Sequence, residues 1–323
     1  MRVSFIIPAL NEEQHLPACL RSLQLLERPG GEVELEVIVV DNQSRDRTAA
    51  IAREHGAKVV MVTTPGRVSR MRNLGAKEST GDLLAFIDAD CELSRDWLCR
   101  LTAHFGDSMV VGAGACMAQP AASATWVETT WHTIAHPRQG MISAQSVMWL
   151  PSFNLLVRRD AFERVGGFDE RLITCEDSDL GYKLSTGGKL ILDNIAQAAH
   201  HGESRTLREF FRREAWRSRG NLRSWLQRKM APGELKSILI PPAFLGGLSG
   251  GLILLALSAW WPALTTVSLA LLLLTTTLPV LVLARRRISP TRLSLFSQGL
   301  TLVSLYLCAR AIGLFLPMPR VGR

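Results

Sequence analysis

Asp88-Ala89-Asp90 closes the apolar run Leu83-Leu84-Ala85-Phe86-Ile87, and two carboxylates one residue apart at the end of a buried strand need a counter-charge. Like charges this close raise each other's pKa, and desolvation raises them further. A divalent cation removes the problem, because it takes hard oxygen ligands and neutralises both groups. If that cation also bridges a diphosphate, the site stabilises a phosphate leaving group. Taken alone, Asp-x-Asp describes an Asp-rich turn equally well. A second acidic cluster, Cys175-Glu176-Asp177-Ser178-Asp179-Leu180, follows the turn signal Gly166-Gly167-Phe168-Asp169-Glu170. Its carboxylates suit the first turn of a helix, where the macrodipole favours acids. His200-His201-Gly202 stands at a strand end and reads either as polar surface or as a metal ligand.

The elements that position these groups follow from periodicity. Residues 1 to about 110 alternate short apolar runs with amphipathic stretches, the pattern of βαβ units around a parallel sheet. Strands are expected over Val3 to Ile7, Glu36 to Val40, Lys58 to Val62 and Leu83 to Ile87. Helices are expected from Asn11, as N-cap, to Leu26, from Ser44 or Asp46 to His55, from Ser69 to Ser79 and over Leu180 to Leu184. In open α/β sheets ligands bind beyond the carboxyl ends of the strands. The segment Pro8 to Glu12, Asp41 and Asp88/Asp90 all fall there. No GxGxxG follows the first strand and no GxxxxGK[ST] occurs, which disfavours a dinucleotide-dependent dehydrogenase and a P-loop enzyme. Trp126, Trp131, Trp149, Phe153 and Phe162 suit either core or the wall of a pocket.

The formal net charge of +8 invites a nucleic-acid reading, but much of the excess lies between Arg205 and Lys236 and in Arg285-Arg286-Arg287, beside very apolar stretches. That placement fits a membrane surface better than a groove reader. Residues 207–236 mix Phe210, Phe211, Trp216 and Trp225 with many arginines, the composition of an interfacial helix. Three apolar segments follow, about 238–260, 262–284 and 295–316, each near the length of a membrane span. In the third, Arg310 is expected to snorkel. Loop charge places the basic segments inside, so the expectation is a multi-pass protein of the cell's inner (plasma) membrane with a cytoplasmic catalytic domain. The six cysteines show no paired spacing and read as reduced thiols.

Five features recur in order: Pro8-Ala9-Leu10-Asn11-Glu12, Val39-Val40-Asp41, Arg72-Asn73-Leu74-Gly75-Ala76, Asp88-Ala89-Asp90 and Glu176-Asp177. Together they make residues 1 to about 220 resemble the family 2 glycosyltransferases with a GT-A fold. The resemblance implies an α/β, Rossmann-like, mostly parallel catalytic domain (1–206), followed here by the interfacial segment (207–236) and a transmembrane region (237–323). It implies inverting transfer of a sugar from a nucleotide-diphosphate donor, by family habit a UDP-sugar, with Mg²⁺ or Mn²⁺.

By the same resemblance, Pro8, Glu12 and Asp41 contact base or ribose, and Arg72 and Gly75 pack against the nucleotide. Asp88, Ala89 and Asp90 form the DxD motif, with Asp90 as direct metal ligand and Asp88 on ribose or metal. Asp177 is the expected base, taking the proton of the acceptor hydroxyl, and Glu176 orients it or holds the acceptor. His200 is the preferred histidine ligand, and Asn154 is expected to touch donor sugar or acceptor. Processive members carry (Q/R)xxRW, whereas this chain reads Arg212-Arg213-Glu214-Ala215-Trp216. Ala215 therefore favours transfer of one sugar, to a lipid-linked or membrane-proximal acceptor. A polyprenyl-phosphate acceptor and a non-catalytic nucleotide-binding subunit are the alternatives, and nucleic acid is not an expected partner.

Overall fold

A computed structural model describes residues 1–30, 32–136, 143–227 and 235–317. In chain order its elements are β1 (Arg2–Ala9), α1 (Leu16–Gln24), β2 (Glu34–Asp41), α2 (Thr48–Glu54), β3 (Lys58–Met61), α3 (Val68–Glu78), β4 (Leu83–Ile87), β5 (Cys91–Leu93), α4 (Trp97–His104) and β6 (Val110–Met117). Next come α5 (Trp126–Ala135), β7 (Ala144–Val147), β8 (Asn154–Arg158), α6 (Arg159–Arg164), α7 (Glu176–Ser185) and β9 (Lys189–His200). The chain ends with α8 (Leu207–Ser218), α9 (Asn221–Gln227), α10 (Leu235–Leu257), α11 (Leu264–Arg285) and α12 (Leu293–Phe315). The contacts divide into two compact units, Met1–Gln119 with Arg138–Gly202, and Pro120–Pro137 with Glu203–Met318.

The first unit is built on a mixed sheet in the order β3-β2-β1-β4-β8-β6-β9-β5, with β7 on β9. The expected parallel character holds for β3, β2, β1 and β4. Beyond Asp88 antiparallel pairs enter, because β8 returns along β4 and β5 along β9. Strand β4 is buried on both faces, which is why its run is continuously apolar rather than alternating. Its parallel neighbours end on the same edge, so the residues after β1, β2 and β4 share one rim.

Helix α1 starts at Leu16 rather than just after Asn11. Asn11 is left-handed at φ 57°, and its side chain accepts from the Arg45 amide at 2.8 Å. It therefore ties the β1 loop to the β2 loop, while proline in the first turn opens the helix. Helix α2 likewise begins at Thr48, whose amide is held by Asp46 at 3.0 Å.

In the second unit α10, α11 and α12 are long and apolar enough to cross a membrane, at 23, 22 and 23 residues. Phe210 of α8 joins Leu302 of α12 and Val127 of α5 in one buried cluster, while Leu207 and Trp216 of α8 stay exposed. Gly313 of α12 meets α8 so closely that an added Cβ would lie 2.1 Å from the Ala215 carbonyl oxygen. Arg310 does not merely snorkel, because its Nε reaches the buried Glu214 of α8 at 3.2 Å. Residues 228–234 of the expected interfacial segment lie outside the described residues.

Candidate functional site

Arg72 stands at the centre of the rim and is 3 % exposed. Its Nη2 lies 2.6 Å from Asp88 Oδ1, and its Nη1 lies 3.3 Å from Glu176 Oε1 and 3.7 Å from Asp177 Oδ1. One guanidinium from α3 thus joins the end of β4 to the start of α7, across 104 and 105 residues of chain respectively for the α7 pair. The planar fork can serve several carboxylates at once, which an ammonium does less well. Burial works against its charge, but Asp88, Asp177 and Glu176 outweigh that and raise its pKa overall.

Neighbouring residues hold this arrangement. Asn73 donates to the Phe168 carbonyl at 2.9 Å and accepts from the Phe168 amide at 3.0 Å. The turn before it needs two left-handed residues in a row, Gly166 at φ 76° and Gly167 at φ 67°. Phe168 then packs edge-on to Phe86 of β4, with centroids 5.1 Å apart, and lies under the Arg72 guanidinium at 5.5 Å.

Helix α7 opens with Cys175 left-handed at φ 69° and with Glu176, Asp177 and Asp179 in its first turn. Burial, then the Asp177 charge, pushes the Glu176 carboxyl well above the ordinary carboxylate range, against the pull of Arg72. Burial also raises Asp177, opposed by Arg72 and by the Ser152 hydroxyl that donates to Asp177 Oδ1. A carboxyl raised above its ordinary value moves toward what a general base needs at physiological pH.

Asp90, in the turn before β5, and His200, at the end of β9, come together, with Asp90 Oδ1 3.5 Å from His200 Nε2. With Cys91 they offer ligand atoms within 4.8 Å of one another. Burial, then Asp88 and Asp90, pushes the Cys91 thiol far up, and a hard cation takes the carboxylate and the imidazole in preference to a sulfur. That pair suits Mn²⁺ or Mg²⁺ with the remaining positions open to phosphate or water oxygens. His201 points elsewhere, to Glu92 Oε1 at 2.6 Å. Asp88 has one oxygen on Arg72.

On the nucleotide side, Asp41 is fully buried. Its Oδ1 accepts from the Ser44 amide at 3.2 Å and from the Ser44 hydroxyl, while Oδ2 is buried with no partner among the described residues. An orphaned carboxylate oxygen is costly unless a ligand donor meets it. Pro8 is buried in β1 opposite Val40. The Glu12 amide donates to Thr48 Oγ1 at 2.8 Å. Burial raises the Glu12 carboxyl, His15 opposes this, and Asp90 adds to it. Ala89 is 3 % exposed inside the turn closed by Cys91 N to Asp88 O at 3.1 Å.

Gly75 and Asn154 each meet a structural demand of the sheet, Gly75 away from the rim and Asn154 opposite Ile87, next to Asp88. Gly75 faces the sheet, where an added Cβ would fall 2.4 Å from Ile6 Cγ2 and 3.0 Å from Val40 Cγ2. Its role is the close approach of α3 to β1 and β2. Asn154 is fully buried; its Oδ1 accepts from the Ala115 amide at 2.6 Å, while its Nδ2 has no partner among the described residues. The β6–β8 pairing ends at Gly114 and Leu155, so the side chain supplies the acceptor that the ladder lacks. Ser152, Ser44 and Asn73 are the site residues that sequence reasoning passed over. Asn73 lay inside the Arg72–Ala76 motif, but Ser152 carries no local signal.

The profile described as Glycosyl transferase family 2 matches residues 4–166, half of the chain. Glycosyltransferase AglE of Haloferax volcanii is 30 % identical over 197 residues, 57 % of this chain and 63 % of that protein. A 4,4'-diaponeurosporenoate glycosyltransferase of Staphylococcus haemolyticus is 44 % identical over 100 residues, 29 % of this chain and 25 % of that protein. The chain thus spans less than two thirds of the length of either relative. Among solved structures, the mannosyltransferase PcManGT of Pyrobaculum calidifontis in complex with GDP-Man and Mn²⁺ superposes with a TM-score of 0.59 at 20 % identity, over 97 % of this chain and 86 % of that one. S. aureus TarS 1-349 gives 0.53 at 20 % identity, over 94 % and 90 %.

Proposed function

The chain belongs to glycosyl transferase family 2, and on that premise we propose that it transfers a single sugar, with inversion, from a nucleotide-diphosphate sugar to a hydroxyl of a lipid-linked or membrane-proximal acceptor. The observation that carries this reading is the buried Arg72, which draws the half-buried Asp88 and Glu176–Asp177 pair into one cluster. Asp177 takes the acceptor's proton while the acceptor oxygen attacks the anomeric carbon opposite the departing diphosphate. Glu176 shares the Arg72 guanidinium and keeps the base from pairing with it alone. Asp41, through its orphaned Oδ2, and Glu12 hold the nucleoside.

Asp90 and His200, with Asp88 behind them, would hold a divalent cation, which supplies charge neutralisation of the leaving diphosphate. The donor pair supports this, as does the Mn²⁺ of the Pyrobaculum neighbour. UDP-sugars lead the list of donors, and the GDP-Man bound by that neighbour supports including GDP-sugars. The three apolar helices on the same chain support an acceptor at a membrane, with the catalytic unit on the cytoplasmic side of the inner membrane. The domain limits 1–206, 207–236 and 237–323 belong to this proposal.

The test is release of nucleoside diphosphate by the full chain in detergent, from a panel of UDP- and GDP-sugars, with membrane lipid extract and with or without Mn²⁺ or Mg²⁺. Metal-dependent turnover of one donor is expected, and Asp177→Asn should lower it at least about a hundredfold. Near-normal activity of that variant would point to an acceptor that is already ionised, as a polyprenyl phosphate is. Binding of donors without turnover in any extract would sink the enzymatic reading.

A further inference from the structure

Ser152 belongs to none of the five recurring sequence features, yet it is fully buried beside the candidate base. Its hydroxyl donates to Asp177 Oδ1, and its backbone amide reaches the same carboxylate. Arg72 Nη1 also lies on Oδ1, at 3.7 Å. Both of these side-chain contacts fall on Oδ1, and the Asp177 side chain keeps 29 % of its exposure.

The segment that carries Ser152 has little freedom. Leu150 is 2 % exposed and packs where Gly114 leaves room, with a Cβ there 3.2 Å from Leu150 Cδ2. At Gly181, one helical turn after Asp177, an added Cβ would lie 2.5 Å from Trp149 Cα. Trp149 and Ser152 therefore clasp two successive turns of one face of α7, and the hydroxyl is delivered by a fixed backbone.

We propose that Ser152 is a positioning residue for the base, occupying Asp177 Oδ1 so that Oδ2 alone faces the acceptor. This rests on Asp177 being the base. In the step, the acceptor O–H bond breaks and its proton goes to Oδ2. The freed oxygen bonds to the anomeric carbon, and the bond from that carbon to the diphosphate breaks with its electron pair leaving on the phosphate. A carboxylate that can rotate would offer either oxygen and pair more fully with Arg72, so fewer encounters would be productive. The charged groups around Asp177 are Arg72 from α3, Glu176 beside it on α7 and Asp88 at the end of β4. Ser152 is the neutral donor among them.

The experiment compares wild type, Ser152→Ala and Asp177→Asn as full chains in detergent, with the UDP- or GDP-sugar that turns over fastest. It records nucleoside diphosphate release against pH, and donor binding by thermal shift. Ser152→Ala should lose about tenfold in rate, the scale of a hydrogen bond to a charged group. Its acidic limb should move to higher pH, because the lost donor had favoured the ionised carboxylate. The donor-induced thermal shift should stay as in wild type. Ser152→Cys, close in volume but a weak donor, should move in the same direction and covers a failure of the alanine variant to fold. A wild-type rate and pH profile in Ser152→Ala, with Asp177→Asn inactive, overturns the proposal. So does a rate loss that comes with a matching loss of donor binding, since that is packing alone. Full activity in Asp177→Asn would instead overturn the base assignment beneath it.

Discussion

Replacing Arg72 with Met keeps most of the side-chain volume and removes the one cation shared by Asp88, Glu176 and Asp177. The three contacts are 2.6, 3.3 and 3.7 Å, from a guanidinium that is 3 % exposed to carboxylates that are 30, 15 and 29 % exposed. Removing one partner of a buried pair costs about 3–5 kcal/mol, and partial exposure of Asp88 and Asp177 argues for the lower figure. At ~3 kcal/mol, a unit of this size loses roughly 6–12 °C in Tm. The pH dependence gives a sharper signature. Glu176 has a folded pKa raised above its unfolded value, so between the two the folded state binds more protons. Stability then falls as pH rises through that window. Arg72 lowers both Glu176 and Asp177, so without it the raised values climb further and the loss deepens at neutral and alkaline pH. Thermal melts of wild type and Arg72→Met should differ most near pH 8 and less near about pH 5, below the value of about 7 at which Glu176 titrates. A defect of constant size across that range would refute a charge-based role, and a Tm within about 2 °C of wild type at pH 8 would refute the cluster itself.

Two further outcomes follow from the same geometry. Gly75→Ala pushes a Cβ to 2.4 Å from Ile6 Cγ2, so it should destabilise by about 1–3 kcal/mol while leaving the KM for donor unchanged in the protein that folds; a raised KM with unchanged Tm would return Gly75 to the nucleotide surface. Chelation should stop nucleoside diphosphate release and Mn²⁺ should restore it, with His200→Ala needing at least about tenfold more metal and His201→Ala behaving as wild type; equal effects of the two substitutions would dissolve the distinction drawn from their carboxylate partners, Asp90 and Glu92.

What the sequence made legible depended on whether the physics was local. Strand β4 and its terminal Asp88 could be read to the residue because a doubly buried strand must be continuously apolar. The α7 carboxylates were visible because acids collect in a first helical turn. The β1 loop was misread at Asn11, where a side chain that suits an N-cap is spent instead on the Arg45 amide from the next loop. Gly75 looks like a site residue in one dimension, yet it answers a packing problem set by distant strands. Ser152 shows the limit from the other side. Nothing in Pro151-Ser152-Phe153 marks a functional hydroxyl, since its value depends on Asp177, 25 residues later. Arg72 spans the two cases: its helix was foreseeable, but its three partners lie 16, 104 and 105 residues away. A motif read along the chain therefore names the carboxylates that do the chemistry, and only the fold shows that one arginine keeps them from repelling one another before substrate arrives.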